Sequence, residues 1–310
     1  MYTLDAFDAR EVGRALGHDL FRFRIHLDEF DLDAAVREGF VQARGCATPR
    51  RLADRYTRKW LQLRQSAYRR NRIVNDAVTP ALLKQIDVTH CPVTKMPLTH
   101  GALLPSDWSI DRLNNDGAYV PNNLAVMSTA VNAAKGDKSY EQVYALSQQS
   151  EPTHGLTPVE WLRLATLMLG PCFADRPHLV PVIPLAAPIP NHAVRPAVQQ
   201  VQQMFTNEVS RPAGKNALIK HLKPVCPDER SERRLRHLAE TVHIGMKGLD
   251  DRFDVWLRPG VVTAFVEWRD SLDRRSWALA AELSRRRSGA THIPAGRLRT
   301  WHLATGGRAC

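Results

Sequence analysis

Between two long helical regions of the sequence, residues 87–128 break into short pieces with the composition of β-strands. The pieces are Asp87–Thr89, Trp108–Arg112, Tyr119–Val120 and Leu124–Met127, separated by Gly, Pro and Asn residues typical of turns. Directly afterwards, Ser128 can cap a helix from Thr129 to Lys135 that ends at Gly136. The pattern predicts an α+β fold that is predominantly helical, with a small strand–strand–helix module at its centre.

Periodicity and composition divide the chain into five regions. In chain order they are an N-terminal helical region over 1–86 with a basic helix at 50–72, the module over 87–150, a helix packed on the module over 151–170, a proline-rich linker over 171–196, and a basic helical domain over 197–310. The linker contains seven prolines and no helical period. In the last region we expect helices near 198–208, 229–246, 261–270 and 272–287, and frayed residues from 303 onward.

Local signals predict where several helices begin. Ser139 with Gln142, and Thr157 with Glu160, have the spacing of a capping box. Pro80 after a threonine predicts the first turn of a further helix.

Positive charge is concentrated in two blocks of the sequence. The chain has 43 Lys and Arg residues against 32 Asp and Glu, a formal net charge of +11. Residues 50–72 carry nine basic residues and one acidic, residues 197–310 carry 20 and 12, and residues 87–138 carry four and five. Basic blocks on either side of a near-neutral centre favour binding to a polyanion by phosphate neutralisation. A solvated surface explains the charge equally well.

Several classes of protein are disfavoured by the sequence. No run approaches the roughly 18 apolar residues of a membrane helix, and the first ten residues lack the apolar region of a signal peptide. Five cysteines, an odd number without a CxxC pair, predict a cytoplasmic protein without a disulfide scaffold. Walker loops, dinucleotide fingerprints and nucleophile elbows are missing, which disfavours ATPases, dehydrogenases and α/β-hydrolases.

Two oxygen-bearing side chains occupy the predicted module at positions that can meet. Asp111 lies at the end of the first strand, and Asn132 lies one turn inside the helix. A β-hairpin packed on a helix can bring two such groups together around one hard cation. A pair of oxygen ligands that leaves positions for water and substrate suits Mg²⁺ or Mn²⁺.

The same stretch resembles the HNH endonuclease family, whose ββα-metal fold has this order of elements. In that family an Asp-His dipeptide ends the first strand, an Asn precedes a Leu in the second, and a His or Asn lies on the helix three residues before a Lys. Here the three places hold Asp111-Arg112, Asn123-Leu124, and Asn132 with Lys135. The resemblance covers about 50 residues, from Cys91 to Gly136. It implies that Asp111 and Asn132 are metal ligands and that Asn123 orients the loop.

The first departure from the family is Arg112, which replaces the histidine that activates water. A guanidinium stays protonated at neutral pH and cannot act as an ordinary base. Arg112 would instead clamp the scissile phosphate, and the base would be a metal-activated water or a nearby histidine, His90 or His100. Some HNH-like sequences carry Asp-Arg followed by a Gly-aromatic turn, which Gly117 and Tyr119 resemble here.

The second departure concerns zinc. Many family members brace the fold with zinc on two CxxC pairs, but here only Cys91 remains of the four positions, and the others are Thr94, Ser128 and Val131. One cysteine cannot hold such a site, so no structural zinc is expected and the module must rely on packing.

The resemblance gives the basic residues a role in contacting the DNA backbone. The expected nucleic-acid-binding residues are Arg51, Arg55, Arg58, Lys59, Arg69, Arg70 and Lys135. Lys135 is equally compatible with a surface position at a helix end. The aromatic residues of the basic helix, Tyr56, Trp60 and Tyr68, are expected to pack against the N-terminal helices rather than to stack on bases. Arg285–Arg287 could form a second phosphate-binding face or a solvated helix end.

These features together predict a metal-dependent HNH-like endonuclease that hydrolyses phosphodiester bonds of double-stranded DNA. A role in a mobile element or in phage defence would be typical of such nucleases. The alternative from another class is a catalytically inactive nucleic-acid-binding protein that retains the HNH scaffold. A further alternative is an interaction or scaffold protein with an incidental basic surface. The alternative to an HNH-like module is a small α+β module in which Asp111 pairs with Arg112 or Arg72 at the surface and Asn123 caps a turn.

Overall fold

Helices make up 59% of the structure, and the strands of the described residues form one two-stranded antiparallel sheet. The computed structural model describes residues 9–26, 33–190, 192–288 and 295–309. The strands are β1 (Trp108–Arg112) and β2 (Leu124–Ser128), and a short 3-10 helix, Pro121–Asn123, leads into β2. The expectation of a mostly helical chain with a small sheet is confirmed. Of the other β-like pieces, Asp87–Thr89 is not a strand, and Tyr119 makes only an isolated bridge.

Helices occupy most of the remaining chain. In the described ranges they are α1 (Ala9–Arg22), α2 (Ala34–Gly45), α3 (Arg55–Arg69), α4 (Pro80–Ile86), α5 (Thr129–Lys135), α6 (Tyr140–Ser147), α7 (Pro158–Cys172), α8 (Ala197–Glu208), α9 (Pro212–Leu222), α10 (Glu229–Gly245), α11 (Pro259–Asp270), α12 (Arg274–Ser288) and α13 (Ala295–Leu298). The four helices expected after residue 196 correspond to α8, α10, α11 and α12, whereas α9 was not expected. None of these helices is both long and apolar enough to cross a membrane.

Helix caps explain why several elements begin where they do. The Ser128 hydroxyl accepts a hydrogen bond from the Val131 N–H and starts α5, which Gly136 ends. Both capping boxes form, Ser139 with Gln142 at α6 and Thr157 with Glu160 at α7. These predicted starts are confirmed.

The chain folds into two compact units. The first contains Met1–Val88, Ile110–Val126 and Pro294–Cys310, and the second contains Thr89–Ser109 and Met127–Ile293. Both strands of the sheet therefore contribute residues to each unit. The expected C-terminal domain over 197–310 is divided differently, because Pro294–Cys310 belongs to the first unit.

The core of the first unit is built by α1, α2 and α3. Its buried residues include Leu16, Leu20, Phe23, Ile25, Val36 and Leu61, and Trp60 and Tyr68 pack against them. The two aromatic residues thus lie in the core region, where burial of their rings stabilises the unit. The basic helix is shorter than the expected 50–72, because the Asp54 carboxylate accepts from the Thr57 N–H and caps α3. Leu52 therefore lies outside the helix and is 76% exposed.

The segment after α13 is ordered by backbone hydrogen bonds within the first unit. The Trp301 carbonyl accepts from Ala118, the Gly307 carbonyl accepts from Ile73, and the Ala309 N–H donates to the Asn71 carbonyl. Trp301 is buried. The expectation of frayed residues is wrong for 303–309, because their backbone groups find partners far away in the sequence; residue 310 lies outside the described residues.

The second half of the segment 171–196 contributes side chains to the core of the second unit. Ile183, Leu185 and Ala186 are buried, although the segment has little regular structure. The Thr166 hydroxyl of α7 donates to the Pro184 carbonyl, and the Gln202 amide of α8 donates to the Ile183 carbonyl. The prolines remove backbone donors, and buried side chains satisfy the carbonyls that remain. The segment is a packed strap rather than the expected linker, with residue 191 outside the described residues.

Candidate active site

Strand β1 presents two different faces. Trp108, Ile110 and Arg112 are buried, whereas Ser109 and Asp111 are half-buried. Because alternate residues of a strand share a face, Ser109 and Asp111 lie on the same side of β1, and Arg112 lies on the other. The two residues of the Asp-Arg pair therefore have different environments.

Asn123 holds the loop that joins the two strands. Its side-chain oxygen accepts from the Asn114 N–H at 2.7 Å, and its amide nitrogen donates to the carbonyls of Asn114 at 2.9 Å and Ala118 at 3.1 Å. The Leu113 N–H also donates to the Asn123 carbonyl at 2.8 Å. The residue is completely buried, so its amide replaces water as the partner of these loop groups.

Arg112 braces the same loop from the buried face of β1. Its Nη1 donates to the carbonyls of Asn115 at 3.0 Å and Gly117 at 2.9 Å, and its guanidinium carbon lies 5.0 Å from the centre of the Tyr119 ring. The residue is only 6% exposed. The expected role as a clamp on the scissile phosphate does not fit this geometry, because the guanidinium is buried and directed to carbonyls.

Asn132 is oriented by β1. Its Nδ2 donates to the Ser109 hydroxyl at 2.7 Å, and this bond leaves the side-chain oxygen Oδ1 as the atom that can bind a cation. Ser109 was missed from the sequence, although the two-residue period of the strand places it on the face of Asp111. A carboxylate and an amide oxygen are a donor set that fits a hard divalent cation.

Lys135, three residues further along α5, is completely buried. Both expectations for it are wrong, because a fully buried ammonium group is neither a surface residue nor accessible to a phosphate. Nothing in the sequence indicated this burial, because α5 has only seven residues and is too short for an apolar period to be recognised.

A turn that begins at Cys91 precedes β1. The Cys91 N–H donates to the Met96 carbonyl, and the Lys95 N–H donates to the Cys91 carbonyl. The Cys91 sulfur accepts from the Ser128 N–H at 3.4 Å. Among the described residues, no group of three or more His, Cys, Asp and Glu side chains is arranged to hold a metal ion.

Asp107 organises the residues just before β1, a role that sequence reasoning missed. Its carboxylate accepts from the Thr99 hydroxyl at 2.6 Å and from the N–H groups of Ala102 and Leu103. These bonds, that of Thr99 first, lower the pKa of the Asp107 carboxyl. The turn thereby fixes the start of the strand that carries Asp111.

The two histidines considered as bases lie in the second unit and are exposed. The His90 Nδ1 is 3.0 Å from the Thr89 hydroxyl, and the His100 ring meets the Trp108 ring edge-on at 5.2 Å. Trp108 is the first residue of β1, so His100 has a defined position relative to that strand.

The expected nucleic-acid-binding residues of the first unit have different surroundings. Arg58 and Arg69 are exposed on α3, whereas the Arg55 guanidinium pairs with the Asp87 carboxylate at 2.8 Å. A hydrogen bond from Arg55 to the Tyr56 hydroxyl is the largest cause that raises the pKa of Arg55. Lys59 is half-buried, and the Arg51 guanidinium stacks 4.6 Å from the Phe23 ring.

The arginine triplet of α12 pairs with two neighbouring carboxylates. Arg285 and Arg286 pair with Glu282, and Arg287 pairs with Glu208. The bonds from Arg285 and Arg286 lower the pKa of Glu282 to about 2. This surface therefore carries less unbalanced charge than the sequence indicates.

Comparison with known proteins identifies no relative of this chain. No protein-family model, no curated protein and no solved structure matches the chain.

Proposed function

We propose that this chain is a metal-dependent HNH-like endonuclease that hydrolyses phosphodiester bonds of double-stranded DNA in the cytoplasm. The observation that carries the proposal is the loop clamp made by Asn123. It joins the strand that bears Asp111 to the strand that leads into the helix of Asn132. A clamp of this kind fixes the ends of both strands, which is the requirement for positioning catalytic groups.

Asp111 and Asn132 are the proposed ligands of Mg²⁺ or Mn²⁺. The bond from Asn132 to Ser109 supports this assignment, because it selects the amide oxygen as the atom left for a cation. Ser109 shares its face of β1 with Asp111. When bound, the cation would contact the scissile phosphate and stabilise the charge on the leaving 3′ oxygen.

The other residues of the module hold the loop or supply the base. Asn123 and Arg112 hold the loop between the strands, so Arg112 is a positioning residue in this proposal. His100 is the preferred base, because its ring is held against Trp108 at the start of β1, and His90 is the other candidate. A neutral imidazole can accept the proton of the attacking water.

Cleavage of supercoiled plasmid tests the proposal. The wild-type protein is incubated with Mg²⁺, Mn²⁺ or EDTA, and we expect nicking that requires a metal. Asp111→Ala and Asn132→Ala should abolish nicking, whereas Asp116→Ala, which removes an exposed carboxylate from the same loop, should retain it. Thermal unfolding of each variant separates loss of function from loss of fold. Absence of nicking by the wild type with any metal would contradict the proposal.

A second function is favoured by one specific observation. Arg112 stands where the HNH family has its base, and its guanidinium donates hydrogen bonds to loop carbonyls. This arrangement favours a protein that retains the HNH scaffold but does not cleave DNA. Under this alternative the protein binds DNA and does not cut it. Salt-sensitive DNA binding by the wild type, together with intact plasmid under every metal, would favour the binding protein over the nuclease.

A further inference from the structure

Two arginine side chains contact Tyr119 in the first unit, and two further arginines, Arg72 and Arg308, pair with each other close by. The Arg70 Nη2 donates to the Tyr119 hydroxyl at 2.6 Å, and the Arg112 guanidinium lies over the ring. Arg72 and Arg308 face each other in an antiparallel bridge. The Ile73 carbonyl accepts from the Tyr119 N–H, which fixes the segment of Arg72 beside the tyrosine.

These cations are close enough to repel one another. Burial is the first cause that lowers the pKa of Arg72, and the positive charges of Arg112, Arg308 and Arg70 follow. Neither Arg70, Arg72 nor Arg308 forms an ion pair with a carboxylate in the described part of the chain. A group of like charges without an acidic partner is unfavourable, and an anion bound among them would offset the repulsion.

Two of the three guanidinium groups are held in place before any anion arrives. Arg70 is fixed by bonds to the Ser66 carbonyl, the Ser66 hydroxyl and the Tyr119 hydroxyl. The Arg72 Nη1 donates to the Gly306 carbonyl. Arg308 is exposed, Arg70 is exposed and Arg72 is half-buried, so the group is accessible from solvent. Preorganised guanidinium groups suit the tetrahedral oxygens of a phosphate.

We propose that Arg70, Arg72 and Arg308 form a phosphate-binding site around Tyr119, and that its occupant is a phosphodiester of a nucleic acid backbone. The site deepens the proposed function and rests on it for the source of the phosphate. It lies beside the loop that follows Asp111, so it would bind a backbone phosphate near the one that is cut. Arg308 is the member that sequence reasoning assigned to a frayed end.

Binding of a fluorescein-labelled DNA duplex, measured by anisotropy in EDTA, tests the site without cleavage. Arg308→Ala is the main variant, because the described residues give its guanidinium no hydrogen bond that the fold would lose. We expect binding about tenfold weaker, the equivalent of one charge-assisted hydrogen bond. The slope of log K against log salt between about 50 and 200 mM NaCl should fall by about 0.9. Arg308→Lys keeps the charge and should give an intermediate affinity.

A matched control separates the site from the overall charge. Arg286→Ala removes one positive charge from an exposed ion pair with Glu282 in the second unit. Its duplex affinity and salt slope should equal those of the wild type within about twofold. If Arg308→Ala binds DNA like Arg286→Ala, the proposed site is wrong.

Inorganic phosphate distinguishes failure of the site from failure of the proposed function. If phosphate raises the Tm of the wild type more than that of Arg308→Ala while DNA does not bind, the phosphate site stands and the nuclease proposal fails. If neither phosphate nor DNA distinguishes the two proteins, the site is overturned. Binding of the wild type to anionic vesicles but not to DNA or phosphate would also overturn it.

Discussion

Asn123 and Asn114 exchange two hydrogen bonds, one from the Asn114 N–H to the Asn123 side-chain oxygen and one from the Asn123 amide to the Asn114 carbonyl. The pairing imitates the two-bond exchange between opposite residues of an antiparallel ladder, with a side chain in place of one backbone. It extends the sheet's hydrogen bonding beyond the start of β2 into the loop that joins the two strands. The loop after β1 is therefore fixed by a side chain that the second strand positions.

Asn123→Ala should destabilise the first unit by about 2 to 4 kcal/mol, because it removes a fully buried amide that bonds to the Asn114 N–H and to two carbonyls. Urea unfolding followed by tryptophan fluorescence measures the change. Asp116→Ala, on the exposed part of the same loop, should stay within about 0.5 kcal/mol of the wild type. Equal unfolding midpoints for the two variants would contradict the role of Asn123.

Gly307→Ala should be far more destabilising than Gly248→Ala, although the two glycines have nearly the same φ, +68° and +73°. A Cβ at Gly307 would lie 2.6 Å from backbone atoms of Gly117 and Ala118, whereas nothing lies within 4 Å of a Cβ at Gly248. The shared backbone strain costs about 1 to 2 kcal/mol. Thermal unfolding should show that cost alone for Gly248→Ala and at least about 3 kcal/mol for Gly307→Ala. Similar losses in both would show that the C-terminal segment is not packed on the loop.

Tyr68 should make the protein less stable at high pH. Burial, and then its hydrogen bond to the Asp33 carboxylate, raise the pKa of Tyr68 to about 12. The unfolded chain loses this proton near pH 10, so the stabilisation is fully present below pH 10 and is lost as the pH rises towards 12. Tyr68→Phe should decline less steeply in Tm over that interval than the wild type. An unchanged slope in Tyr68→Phe would contradict the role of this tyrosine.

Glu282 should have the opposite effect at low pH. Its two arginine partners hold the pKa of Glu282 at about 2, below the ordinary value of 4.5. The folded state therefore stays ionised where the unfolded chain takes up a proton, so the stabilisation is present above about pH 4.5 and is lost as the pH falls towards 2. Glu282→Gln should flatten the decline of Tm across this interval. Glu151→Gln, at an exposed position, should not.

Local signals in the sequence were sufficient for most helices. Ser128, Ser139 and Thr157 each start a helix through a bond to a backbone N–H three residues later, so the information lies within one turn. The apolar stripe of α3 was extended too far, to Leu52, because a periodic pattern does not reveal where a cap such as Asp54 interrupts it. Proline content predicted a semi-rigid linker over residues 171–196 but not the burial of Ile183 and Leu185, beside which Thr166 and Gln202 bond to backbone carbonyls.

The sequence was sufficient to identify the residues of the candidate site, but it did not predict which groups they contact. Asp111, Asn123 and Asn132 can be found from spacing, because each stands at a fixed place relative to a strand or a helix start. The buried environment of Arg112 could not be found, since it depends on carbonyls of an irregular loop. The convergence of Arg70, Arg72 and Arg308 was equally hidden, because no local pattern links residues so far apart.

The hydrogen bond between Arg72 and Gly306 joins residues 234 positions apart, and this separation determines when the first unit can be finished during synthesis. A ribosome releases the N-terminal helices early, but the partners of Asn71, Arg72 and Ile73 emerge only with residues 306–309. By then the second unit has been translated in full. A nascent chain that stops before residue 306 would carry α1 to α4 without the segment that bonds to residues 71–73. The arginine cluster therefore assembles only in chains whose translation has passed that point.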